Sequence, residues 1–172
     1  MKYKLVEKQI LEGVVTAVHD GDSVKVVFPT ETVWVRLYGC DAPEVISNYV
    51  TVTQPFGTES GAALRSFVKG KKVVVETLFR DKFNRMICRV SLKQVDGSLV
   101  DLTEYVITNG FAWWLSEPKM PVETATRLKS LHDTAKNNKV GLWGISGRKL
   151  RPSTWRKDHR RFSTAKVYEE LW

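Results

Sequence analysis

The first half of the chain alternates with the period of a β-strand, and the second half changes to the period of a helix. Ile10 to Val18 is rich in branched residues and ends in the turn cluster His19-Asp20-Gly21-Asp22. Ser23 to Phe28 alternates and stops at Pro29-Thr30. Thr32 to Tyr38 alternates again, with Val33, Val35 and Leu37 on one face and Trp34, Arg36 and Tyr38 on the other. Asp20-Gly21 ahead of a strand is a hairpin signal. Residues 43–57, with Pro43, Asn48, Pro55 and Gly57, read as a loop. A helix is predicted over 58–69, with an apolar stripe at Ala62, Ala63 and Phe67 and a stop at Gly70. Lys71 to Phe79 and Arg85 to Lys93 read as two more strands. Asp101-x-x-Glu104 opens a short helix that Gly110 closes. A further helix is predicted over 122–138, with Ala125, Leu128, Leu131 and Ala135 inward.

Three strands, a helix, two strands and then helices suit a five-stranded barrel of the OB type with helices packed on it, a mainly β, α+β fold. The chain has 172 residues and 42% of them are hydrophobic, enough for one domain to bury a core without disulfides. We read residues 1–147 as that domain. The segment 148–172 shows no clear amphipathic period and reads as a basic tail.

Charge sharpens this division. Of the total +8, a net +5 lies in residues 148–172, from eight basic and three acidic side chains. Such a concentration attracts a polyanion through counterion release, and is equally what a solvated tail looks like. Cys40 and Cys88 form no CxxC pair, and His19, His132 and His159 lie far apart, so zinc-ligand spacing is absent and free buried thiols are expected. No run of about 18 apolar residues occurs, and MKYKLVEKQI has no apolar signal core. The expectation is a soluble cytoplasmic monomer with no membrane partner, although a secreted mature form re-started with Met would read the same.

Two clusters carry candidate chemistry. One is Asp20-Gly21-Asp22 at a strand-start turn. The other is Arg36-Leu37-Tyr38-Gly39-Cys40-Asp41-Ala42-Pro43-Glu44, where a strand ends. Together they bring four carboxylates to two turns of one hairpin-connected sheet. Crowded carboxylates raise each other's pKa, and a hard divalent cation, calcium or magnesium, relieves that repulsion. Asp20, Asp22 and Asp41 are also ordinary turn formers, and Glu44 an ordinary loop charge. Arg36, in the middle of an alternating strand, needs either an ion-pair partner among Asp41 and Glu44 or a phosphate. Trp113 and Trp114 suit core packing or base stacking, and Trp155 within a basic stretch admits the same two readings.

The order Asp-Gly-Asp, then R-L-x-G-x-D-A-P-E, then Asp81-Lys82-Phe83-Asn84-Arg85 opening a strand, resembles the staphylococcal nuclease family, whose motifs are R-L-x-x-x-D-[TA]-P-E and one close to K-Y-G-R. Phe56-Gly57-x-Glu59 and Gly141-Leu142-Trp143 extend the resemblance, which covers roughly residues 10–145. It implies a calcium-dependent nuclease acting on DNA and RNA with little sequence preference and leaving 3′-phosphates. By the same resemblance, Asp22, Asp41 and the Ala42 carbonyl would ligate Ca2+. Glu44 would activate or position water, Arg36 and Arg85 would clamp the scissile phosphate, and Lys82 and Phe83 would lie near the nucleotide. Phe83 replaces a usual Tyr, Asn84 a Gly, Ala42 a Thr and Ser23 a Thr, and none of these changes removes a charge. The alternative is a non-catalytic module of the same family that binds nucleic acid or protein.

Overall fold

The computed structural model describes residues 4–81 and 85–161. Its strands are β1 (Lys4–Leu5), β2 (Ile10–Asp20), β3 (Ser23–Val27), β4 (Thr32–Leu37), β5 (Cys40–Asp41), β6 (Lys72–Arg80), β7 (Met86–Lys93), β8 (Leu99–Asp101) and β9 (Trp113–Trp114). Its helices are α1 (Gly57–Val68), α2 (Leu102–Thr108), α3 (Val122–Asn137) and α4 (Pro152–Asp158), with a single 3-10 turn at Gly141–Trp143.

Five strands close on themselves. β2 pairs with β3, β3 with β4, β4 with β7, β7 with β6, and β6 returns to β2. Only the β4–β7 seam is parallel. Closure needs strongly coiled strands, and the register shifts supply the coil. β2 slips between Val15 and Ala17 and again between Val18 and Asp20, so its first half pairs with β6 and its second half with β3. The five predicted strands and the OB-type barrel with packed helices are therefore present. The short strands β1 and β8 extend β6 and β7, and the β5–β9 ribbon stands apart as a two-stranded sheet.

The barrel is filled by the inward positions of each strand, among them Val15, Val24, Val26, Val35, Leu37, Val73, Val75, Val90 and Leu92. α1 covers this core with Leu64 and Val68, both fully buried. That corrects the sequence-based stripe. Ala62 is exposed, and Phe67 packs at the rim, stacked on Tyr105 at 3.8 Å. α2 begins as its sequence indicates, the Asp101 carboxylate accepting from the Thr103 and Glu104 amides. Glu104 does not close the box; it turns outward to pair with Arg127 of α3. In α3 the inward face is Leu128, His132 and Ala135. Cys40 and Cys88 are free and buried. No helix of the described residues is long and apolar enough to cross a membrane.

α4 lies inside the segment read as a basic tail. Pro152 at its first turn is buried and presets the helical φ. With seven residues and only Pro152 buried, α4 offers no amphipathic period to detect.

Candidate active site

The turn between β2 and β3 carries Asp20 and Asp22, and the β4–β5 connection carries Arg36 and Asp41. Two close approaches lock these turns in place. A Cβ on Gly21 would lie 1.9 Å from the Ser60 hydroxyl of α1, so only glycine lets the turn meet the helix. A Cβ on Gly57 would lie 2.5 Å from the Glu44 carbonyl oxygen, so glycine there lets α1 start against the Glu44 loop. Asp41 is fixed by the β5–β9 ribbon, where it pairs with Trp113.

Arg36 is 8% exposed and sits between two buried carboxylates. Its Nη1 donates to Asp22 at 3.2 Å, and its Nη2 donates to Asp41 at 2.7 Å and to the Cys40 carbonyl at 3.2 Å. Asp22 also accepts from the Ala42 amide at 2.8 Å and from the Ser23 hydroxyl at 2.9 Å. Burial pushes the Asp22 carboxyl up, but Arg36, the Ala42 amide and the Ser23 hydroxyl outweigh it and hold its pKa below the ordinary value. Asp20, which accepts from the Asp22 amide at 3.2 Å, is pushed well up by burial and by the Asp22 charge, against Arg36. Arg36 loses by burial and gains more from Asp22 and Asp41, so it stays charged.

Glu44 stands on the loop after β5. Burial raises its pKa, helped by Asp22 and Asp41 and opposed by Arg156. The Arg156 guanidinium of α4 donates to Glu44 and forks onto Asp41, from Nη1 at 3.1 Å and Nη2 at 3.2 Å. The Glu44 backbone is held separately by Gln54. The Gln54 side chain accepts from the Glu44 amide at 3.1 Å, and its own backbone amide donates to the Glu44 carbonyl at 2.8 Å. Arg85 enters from the start of the β7 arm, paired with Asp81 at 2.7 Å and half-exposed, close enough to Asp22 to lower its pKa. Glu117 lies within electrostatic reach of the same cluster. Burial, opposed by Arg36 and reinforced by Asp41 and Asp22, pushes it up to about 7.

The site therefore assembles Asp22, Arg36, Asp41, Ala42 and Glu44 directly, with Arg85 at its edge. Lys82 and Phe83 lie outside the described residues. Trp113 needs correction as a stacking residue. It is 4% exposed and packs edge-on against Trp143 at 5.2 Å, because alternation on the two-residue β9 turns it inward. Trp114 is half-buried against the barrel core. Sequence reasoning does not identify Gln54, Glu117 or Arg156. The only signal is Arg156 next to Trp155 in the basic segment.

Among the described residues no three His, Cys, Asp or Glu side chains converge to hold an ion. The Asp22 and Asp41 carboxylate oxygens already accept from Arg36, Arg156, the Ser23 hydroxyl and the Ala42 amide, and the hard donors by type are these two carboxylates and the Ala42 carbonyl. These leave most positions of a calcium shell to water, which calcium tolerates through its flexible coordination. Burial is the main cause of the raised Asp20 and Glu44 carboxyls, and the neighbouring carboxylate charges add to it. By type, oxygen donors of this kind suit a hard cation such as calcium.

Residues 34–144 match the family described as staphylococcal nuclease homologue. The chain is 37% identical over 130 residues to the probable endonuclease LCL3 of Komagataella phaffii, covering 74% of this chain and 55% of that protein. It is 31% identical over 132 residues to the protein of the same name from Yarrowia lipolytica, covering 74% of this chain and 57% of the relative. An uncharacterized endonuclease of Escherichia coli O157:H7 is 30% identical over 155 residues, 88% of this chain and 87% of that one. The chain thus spans little more than half the length of the two yeast relatives and most of the bacterial one.

Proposed function

The chain belongs to the staphylococcal nuclease homologue family, and on that premise we propose that it is a calcium-dependent nuclease hydrolysing phosphodiester bonds in DNA and RNA with little sequence preference. The observation that carries the reading is Arg36, buried between Asp22 and Asp41 with Glu44 in the same cluster. Its guanidinium is held rigid and charged where it can meet an incoming phosphate.

Hydrolysis builds charge on the non-bridging oxygens of the phosphate, and preorganised guanidiniums stabilise it without reorganising. Arg36 supplies one such group at fixed geometry, and Arg85, half-exposed at the rim, supplies the second. Glu44 takes the proton of the attacking water. Its raised pKa brings it nearer neutrality and makes it a better base than a solvated carboxylate. Asp22, Asp41 and the Ala42 carbonyl would hold Ca2+, which when bound adds further charge neutralisation at the phosphate and orders water. Contacts of this kind read backbone rather than base edges, which accounts for broad specificity. By the family resemblance, cleavage leaves 3′-phosphates.

The test is cleavage of plasmid DNA and of a single-stranded RNA by purified protein, with calcium and with excess chelator. Cleavage in calcium that chelator abolishes supports the reading. Full cleavage in chelator refutes the metal assignment, and no cleavage in either refutes the enzyme.

A further inference from the structure

We infer that Arg156 is a positioning residue for Glu44, which makes the segment 148–161 part of the catalytic unit. The inference rests on the reading of Glu44 as the base. Three observations carry it. Both terminal nitrogens of the Arg156 guanidinium are bound to site carboxylates. Nη1 donates to both Glu44 and Asp41, and Nη2 to the second oxygen of Asp41, so one planar group sets the relative placement of the two carboxylates. The α4 segment that carries it is attached to the loop that carries Glu44. The Trp155 indole donates to the Val52 carbonyl at 2.9 Å, the Thr51 amide donates to the His159 carbonyl at 2.9 Å, and the Arg161 amide donates to the Tyr49 carbonyl at 3.0 Å. Finally, Gln54 ties the same two segments beneath the site. It is 3% exposed, and while its oxygen accepts from the Glu44 amide, its side-chain nitrogen donates to the Leu150 carbonyl at 2.7 Å. Glu44 is therefore held by its backbone through Gln54 and by its carboxylate through Arg156, and both supports reach the C-terminal segment.

A base acts only from the right place. An outer partner that orients a reacting group commonly contributes about 10- to 100-fold in activity. The guanidinium touches Asp41 as well as Glu44, and a double-mutant cycle isolates the part of its effect that runs through Glu44. The experiment is single-turnover cleavage of a short fluorescent oligonucleotide at saturating enzyme and calcium. The proteins are wild type, Arg156→Ala, Arg156→Lys, Glu44→Gln and the double variant Arg156→Ala/Glu44→Gln, each checked for folding by circular dichroism. Affinity for the intact oligonucleotide is measured in chelator, and amide exchange over residues 44–54 is followed alongside.

Arg156→Ala should lower the rate about 10- to 100-fold with affinity changed less than about threefold. Added guanidinium ion should restore part of the rate, and Arg156→Lys should fall between the two. In the Glu44→Gln background the same substitution should cost clearly less than it does in wild type, leaving only the part that runs through Asp41. Arg156→Ala cleaving at or above the wild-type rate would overturn the inference. So would an undiminished loss in the Glu44→Gln background, since a merely structural role multiplies. If wild type does not cleave, the proposed function falls, and exchange then decides the tether: faster exchange over 44–54 in Arg156→Ala or Arg156→Lys upholds it, and unchanged exchange overturns it.

Discussion

The Ala42 amide donates to the carboxylate of Asp22 across 2.8 Å, and this bond joins the two motifs on which the site is built. Asp22 is 2% exposed and is simultaneously the partner of Arg36. Asp22→Ala should thus leave a buried guanidinium and a buried amide short of an acceptor, destabilising the fold by about 3–5 kcal/mol. Asp22→Asn, which keeps an oxygen for the amide, should lose less. Denaturant unfolding in chelator separates this from any metal effect. Equal stability of wild type and Asp22→Ala would mean that the cluster is not structurally coupled as the geometry requires.

Arg36→Lys keeps the charge and loses the planar fork that reaches Asp22 and Asp41 together. Turnover should drop on the order of 10²–10³ with a modest change in affinity, the usual consequence of removing one preorganised charge-stabilising group. Arg85→Ala should behave alike, and the double variant should fall short of the product of the two because both serve one phosphate. Rapid-quench kinetics on folded variants decide it, and wild-type turnover in Arg36→Lys would end the proposed mechanism.

How much of this is legible in the sequence depends on the range of each interaction. The barrel strands announce themselves by alternation, and α2 by the Asp101 cap, because these signals are local. Arg36, Asp41 and Glu44 lie within nine residues and are readable as one motif. Gln54, Glu117 and Arg156 reach the site through interactions 10 to 115 residues apart in sequence or through a loop with no period. Nothing local marks them. The stripe of α1 is misread from sequence because Ala62 and Ala63 look as apolar as Leu64, and only the barrel decides which face turns in. Trp113 is ambiguous for the same reason: a two-residue strand carries too little pattern to say which indole is inward.

Glu117 gives a pH signature. Its folded pKa is pushed up to about 7 from an ordinary value of 4.5. Below pH 4.5 both folded and unfolded chains carry the proton. Between 4.5 and 7 the folded chain keeps it and the unfolded chain does not, so this group's contribution to stability falls as pH rises through that window. Above about 7 the penalty is complete. Because the carboxyl is partly solvated, the penalty should amount to only about 1 kcal/mol. Glu117→Gln should gain roughly that amount at about pH 8 and little at about pH 4, measured by denaturant unfolding in chelator. Stability curves that run parallel across that range would show that Glu117 is solvated in the folded protein.

Deletion of residues 148–172 should have two separable effects. The segment carries a net +5, with Lys157, Arg160 and Arg161 exposed. If these side chains meet phosphates, truncation weakens binding and flattens the dependence of affinity on salt, by roughly 0.9 in log-log slope for each duplex phosphate no longer neutralised. The second effect follows from Arg156. Removing α4 also removes the fork on Asp41 and Glu44 and the Leu150 partner of Gln54, so the single-turnover rate at saturating enzyme should fall at least as far as in Arg156→Ala. Charge alone predicts the first effect without the second, since a tail that only attracts substrate is irrelevant once substrate is bound. The discriminating variant is Lys157→Ala/Arg160→Ala/Arg161→Ala, which should flatten the salt slope while leaving the saturated rate within about threefold of wild type. Binding measured from low to high salt, together with the saturated rate for both variants, checks the division. A truncated protein that folds and cleaves at the wild-type rate would return the segment to a purely electrostatic role.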